Sequence, residues 1–135
     1  MAEAFQFELV SPERLLLSEE ATQVVVPGVE GEFGVMAGHA PMMSTLRPGV
    51  LTVSRPSAAD EAFFVRGGFA EAGPKGLTVL AEVAVPMADL KADDIARQIR
   101  ETEEDLADAG DDAARERAQI ALDHLREMER AVASN

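Results

Sequence analysis

The sequence predicts a mainly β fold of the α+β class: a β-sandwich or barrel followed by an antiparallel two-helix hairpin. Two observations carry this. Up to Pro86, short apolar or β-branched runs alternate with glycine and proline turns at the roughly 8–12-residue spacing of all-β sandwiches and barrels. Beyond Pro86 those turn residues thin out, and apolar residues fall at helical spacing among Ala, Glu, Asp and Arg. The expected units are residues 1–86 and 87–135.

Phe5 to Val10 alternates apolar and polar residues, the period-2 signature of a half-buried strand, and Ser11-Pro12-Glu13 ends it as a turn. Leu15 to Leu17 begins a second short run. Thr22 to Val26 is a β-branched run stopped by Pro27-Gly28. From Glu30 to Gly49 four glycines and two prolines specify a series of turns. Val50 to Ser54, Ala62 to Arg66, Phe69 to Ala72 and Leu77 to Ala81 are further strands. Gly67-Gly68 reads as a strand-junction turn, and Gly73-Pro74-Lys75-Gly76 as another.

Asp89 is the expected N-cap of the first helix, with Asp93 and Asp94 favouring the positive end of its dipole. Ala92, Ile95, Ile99 and Leu106 make one stripe. Gly110-Asp111-Asp112 breaks the run and caps the next helix. There Ala114, Ala118, Ala121, Leu125, Met128 and Val132 alternate steps of four and three, an a/d seam of the kind found in a helical hairpin.

Composition excludes several functions. The 135 residues contain no Cys, so no disulfide framework, thiolate metal site or Cys nucleophile exists. Net charge is −13, which opposes binding to nucleic acid or anionic lipid. Met1 to Phe5 has no basic n-region, so no signal peptide is expected, and no apolar run approaches a membrane span. With no Trp or Tyr, a carbohydrate- or peptide-binding sandwich lacks its usual aromatic platform, although a free-standing binding or adaptor module remains the alternative reading. Charge is uneven along the chain: residues 89–112 carry 3 basic and 10 acidic groups, and residues 113–135 carry 4 of each.

No constellation for catalysis emerges. His39 has no second His or Cys near it in sequence, and Glu30 with Glu32 makes a poor metal-ligand set, so a structural or interface role is expected. His124 is expected to lie exposed, opposite the helix seam. Gly31, Gly34 and Gly38 have neither the GxGxxG spacing of a dinucleotide loop nor the Gly-Lys-Ser/Thr of a P-loop. No GxSxG or HExxH occurs. No catalytic, metal-binding or cofactor-binding residue is assigned. Glu30 to Gly49 is read as a contact surface.

Glu30-Gly31-Glu32-Phe33-Gly34, Gly38-His39-Ala40-Pro41 and Leu46-Arg47-Pro48-Gly49 together follow the pattern EGxxGxxxGHAPxxxxLxPG. This resembles the signature of the epsilon subunit of F-type ATP synthases, called delta in mitochondria. Val10-Ser11-Pro12-Glu13, Gly67 to Glu71 and Leu77 to Ala81 extend the likeness, which runs from about Phe5 to Ala84. The helical tail matches only in type.

The resemblance implies a ten-stranded β-sandwich followed by the hairpin. It implies a noncatalytic rotor subunit that binds gamma, rests on the c-ring and couples proton flow to ATP synthesis at the cytoplasmic face of the bacterial inner membrane. Glu30, Glu32, Phe33, Gly38, His39, Met42 and Met43 would form the gamma and c-ring contact. The c-ring loops of related enzymes carry basic groups, which suits an acidic turn. Through the C-terminal helices the alpha and beta subunits would be further partners, and Arg115, Arg126 and Arg130 would reach an acidic segment of beta when the tail extends to inhibit ATP hydrolysis. Surface pairing of Asp123 with Arg126 and of Glu127 with Arg130 is the competing explanation of those arginines. Some family members bind ATP through Leu/Ile-Asp-x-x-Arg-Ala. Here Lys91 stands for that Asp and Asp94 for that Arg, and a carboxylate there repels phosphate.

Overall fold

The structure, a computed structural model, describes residues 3–134; the sequence reading of Met1 and Ala2 lies outside them. Eight strands come first: β1 (Phe5–Ser11), β2 (Arg14–Ala21), β3 (Gln23–Gly28), β4 (Gly31–Val35), β5 (Met42–Thr45), β6 (Gly49–Ser54), β7 (Glu61–Gly73) and β8 (Gly76–Pro86). Two helices follow, α1 (Ala92–Asp108) and α2 (Asp112–Ser134). The chain forms two compact units, one ending at Pro86 and one beginning at Met87.

Ten strands were expected and eight are observed among the described residues. The difference lies in β7 and β8, each of which serves both layers of the sandwich. One layer is β4-β3-β6 followed by the first half of β7, Glu61 to Arg66, and the last half of β8. The other is β2-β1 followed by the first half of β8, the last half of β7, and β5. The β1–β8 pairing is parallel and the rest are antiparallel.

The bend is visible in the burial pattern of β7. Phe63 and Val65 are buried in the core before Gly67-Gly68, and Ala70 and Ala72 after it. The inward positions change from odd to even. A strand alternates faces with period 2, so the glycine pair must turn the strand over. Gly67 and Gly68 have φ of 74° and 95°. They lie inside one continuous strand and are not the strand-junction turn expected from sequence.

Inward side chains of both layers make one core: Phe7 and Leu9 of β1, Val24 and Val26 of β3, Leu51 and Val53 of β6, Leu77 and Val79 of β8, with their neighbours. The loop after β6 is fastened by Arg55. Its Nε lies 2.8 Å from Glu19 Oε1 of β2, and its Nη2 pairs with Glu61 of β7.

In the second unit a 3₁₀ turn, Met87–Asp89, precedes α1. The residue at the N-cap of α1 is Lys91, which makes no side-chain cap bond, and not Asp89. The 3₁₀ turn holds Asp89 two residues short of that position. Asp111 caps α2 as expected, its Oδ1 accepting the Ala114 N–H at 2.8 Å. The buried side chains are Ile95 of α1 and Leu122 and Ala131 of α2. Ala121, placed in the seam by the sequence, is exposed, and His124 is half-buried where exposure was expected. Strict alternation of four and three follows a 3.5-residue period. A straight helix drifts about 20° per heptad from it, which moves burial to neighbouring positions.

Candidate functional site: the β4–β5 edge

The segment from Glu30 to Gly49 contains two strands where sequence suggested only turns. β4 forms because Gly31 to Val35 pairs residue for residue with β3. Along it Glu32 and Gly34 face solvent, Phe33 is half-buried against the core, and Val35 is buried. The hairpin tip between β3 and β4 is Val29-Glu30, both exposed.

β5 pairs with the last half of β7, setting Met42 opposite Ala72 and Met43 opposite Glu71. Two backbone hydrogen bonds tie the β3–β4 hairpin to the chain around β5, and a third ties that chain to the bend in β7. Val29 N–H donates to Thr45 O at 3.0 Å, Arg47 N–H to Pro27 O at 2.9 Å, and Leu46 N–H to Gly68 O at 3.0 Å. The β3–β4 hairpin, β5 and the bend in β7 therefore form one connected edge.

Between β4 and β5 the chain turns through Met36 to Pro41. His39 N–H donates to Met36 O at 3.3 Å, and its Nδ1 lies 2.6 Å from Ala40 O. The imidazole is thus engaged by its own loop. Gly38, with φ of 78°, supplies the left-handed residue of this turn. Among the described residues no group of three or more His, Asp or Glu is placed to hold a metal ion.

The edge exposes more apolar surface than the sequence reading assigned to it. Met42 and Met43 are 39% and 62% exposed, and Val29 and Met36, not singled out from sequence, are 55% and 56% exposed. The signal available for both was an apolar residue inside a turn-rich segment, off any strand or helix period. Glu30 and Glu32 add carboxylates to the same edge. Methionine adapts its shape to a partner surface, and an acidic edge favours a basic one.

Arg126 does not make the surface pair with Asp123 that the sequence offered as the competing explanation. Arg126 Nη2 lies 3.2 Å from Glu103 Oε2 across the hairpin, while Asp123 accepts a hydrogen bond from Gln119 Nε2 at 2.9 Å. Arg115 Nη1 lies 2.9 Å from Asp112 Oδ1. Arg130 is exposed and makes no ion pair among the described residues. At the start of α1, Asp94 pairs with Arg97 at 3.3 Å. Among the described residues no helix is long and apolar enough to cross a membrane.

The family model described as the β-sandwich domain of the ATP synthase delta/epsilon chain matches residues 4–87. A protein named ATP synthase epsilon chain from Parvibaculum lavamentivorans is 54% identical over 132 residues, covering 98% of this chain and 100% of its own length. One of the same name from Mesorhizobium japonicum is also 54% identical over 132 residues, covering 98% of each chain. A chain in the cryo-EM structure of the Euglena gracilis mitochondrial ATP synthase OSCP/F1/c-ring assembly superposes with a TM-score of 0.76 at 26% identity, covering 96% of this chain and 81% of that one. A chain of the Tetrahymena thermophila mitochondrial ATP synthase central stalk and c-ring shares the fold, with a TM-score of 0.61 at 14% identity over 97% of this chain and 98% of that one. Identity of this level along almost the whole length, with the sandwich model spanning all eight strands, leads to one conclusion: the chain belongs to the ATP synthase delta/epsilon chain family.

Proposed function

We propose that the chain is the noncatalytic central-stalk subunit of an F-type ATP synthase, coupling proton flow through the c-ring to rotation and ATP synthesis. The sandwich binds gamma and rests on the c-ring through the β4–β5 edge. The complex holds it at the cytoplasmic face of the bacterial inner membrane. The observation that supports this most directly is the edge itself: exposed Glu30, Glu32, Val29, Met36, Met42 and Met43 on one hydrogen-bonded frame, with His39 and Gly38 shaping the turn and Phe33 bracing β4 from the core.

The test is co-purification of the full chain with a gamma–c-ring subcomplex. Retention is expected, and Glu32→Lys is expected to weaken it by about tenfold by setting like charges against basic loops. A wild-type chain that is not retained overturns the reading.

The hairpin has a regulatory place in the same reading, with Arg115, Arg126 and Arg130 as the side chains offered to beta. Arg115 and Arg126 already face Asp112 and Glu103. These are exposed pairs that solvent screens, so they oppose release only weakly.

ATP is not a ligand of the first helix in this reading. Lys91 sits at its N-cap, and Asp93 and Asp94 place carboxylates in its first turn, where a phosphate would have to approach. Millimolar ATP is expected to leave hydrogen exchange of the first α1 amides unchanged; clear protection there would sink this assignment.

A further inference from the structure

The chain contains no Cys, Trp or Tyr, so methionine sulfur is its most readily oxidised side-chain group. Six methionines are present, and all but Met1 fall among the described residues. Met36, Met42 and Met43 are exposed, and all three lie on the β4–β5 edge. Met87 and Met128 are half-buried and belong to the other unit. Accessible sulfur is therefore concentrated on one edge, between residues 36 and 43.

The strand explains why these sulfurs are open. β5 is only 4 residues long, and none of them enters the core cluster. Neighbours in a strand point to opposite faces, yet Met42 and Met43 are both exposed, so an oxidant reaches either side of β5. Both also line a groove of ≈ 760 Å³, ample room for a peroxide molecule. Met36 directly follows buried Val35 and begins the loop to His39. Met43 is opposite Glu71 in the ladder, so an oxygen added to its sulfur sets a polar acceptor near a carboxylate. Oxidation turns a flexible apolar side chain into a polar one, which removes the shape-adapting contact that methionine offers a partner.

We infer that Met36, Met42 and Met43 are a reversible oxidation site that decides whether the free chain is taken up by the central stalk. The oxidant is a peroxide. A lone pair of the thioether sulfur attacks one peroxide oxygen, the O–O bond breaks and an S–O bond forms. The sulfur is oxidised to the sulfoxide and the peroxide is reduced: the released hydroxide takes the proton of the transferred hydroxyl and leaves as water. A methionine sulfoxide reductase reverses the step with a dithiol, which becomes a disulfide while the sulfoxide oxygen leaves as water. Once the edge is covered by its partner the sulfurs are out of reach, so the switch acts before assembly. The inference rests on the central-stalk reading and adds to it a regulation of the contact edge.

Hydrogen peroxide is applied to the free full chain, the modified sites are read by peptide mass spectrometry, and retention by a gamma–c-ring subcomplex is measured. Met36, Met42 and Met43 are expected to gain an oxygen well before Met87 and Met128, and retention to weaken about tenfold. Thermal unfolding should stay unchanged, because none of the three belongs to the core cluster. Methionine sulfoxide reductase with dithiothreitol should restore retention, and the preassembled complex should resist the same dose. The variant Met36→Leu with Met42→Leu and Met43→Leu, compared with its own untreated form, should lose no retention on peroxide treatment. If untreated wild type is retained, and wild type oxidised at all three sites is retained equally, the edge carries no switch, while the central-stalk reading stands. Equal losses in the triple variant and in wild type would also overturn the inference, since the damage then lies elsewhere. If untreated wild type is not retained, it is the central-stalk reading that fails.

Discussion

Gly68→Ala is expected to unfold the sandwich or lower its stability by on the order of 3 kcal/mol or more. A Cβ added at Gly68 would lie 1.8 Å from Leu80 O and 2.8 Å from Leu80 C. Those atoms are backbone of the paired strand β8, so relief requires the β7–β8 pairing to open. The φ of 95° adds strain for any L side chain. That pairing is shared by both layers, so the damage reaches the whole core. Marginal domain stabilities of about 5–15 kcal/mol leave little room for it. Urea denaturation followed by circular dichroism measures the effect. Gly38→Ala is the control: its φ of 78° is also left-handed, but an added Cβ there meets nothing within 4 Å. It should lose only about 1–2 kcal/mol. Equal midpoints for Gly68→Ala and wild type would disprove the account of the bend.

Removing residues 87–135 is expected to abolish the helical circular dichroism signal and leave the sandwich folded and bound to gamma. The main core cluster draws all its members from residues 5–81, with Ala84 packed against it, and so lies wholly within the first unit. Heating the full chain should accordingly show two transitions, the hairpin melting first. Its described interior offers only Ile95, Leu122 and Ala131 as buried side chains. Its cross-helix ion pair, Arg126 with Glu103, is about half exposed, and such pairs contribute ~0–1 kcal/mol. At about 25 cal/mol per Å², alanine-rich contacts add little more. A truncated chain that is unfolded, or a single transition for the full chain, would show that the two units fold as one.

The exposure of the β4–β5 edge follows from the same division of labour. Sandwich stability comes from inward positions of the other seven strands, while β5 contributes no core residue and its methionines are left free of that folding constraint. Glu32 on β4 also hinders pairing with a stray strand, as a charged residue on an edge does.

Sequence alone determined the order and type of most of the elements, because their signals are local. Alternation marked β1, β-branched content marked β3, and the loss of glycine and proline after Pro86 marked the change to helices. It also carried the turn-rich pattern around Gly38-His39-Ala40-Pro41, since φ preferences belong to single residues. Tertiary structure decided what depends on partners distant in the chain. β4 and β5 are strands only because β3 and β7 offer them hydrogen bonds, which Gly31, Gly34 and Met42 do not announce. The two layers share β7 and β8 because Gly67-Gly68 turns the inward face over, which no local pattern could distinguish from a turn between strands. Arg126 finds Glu103 and not Asp123 because α1 lies beside it.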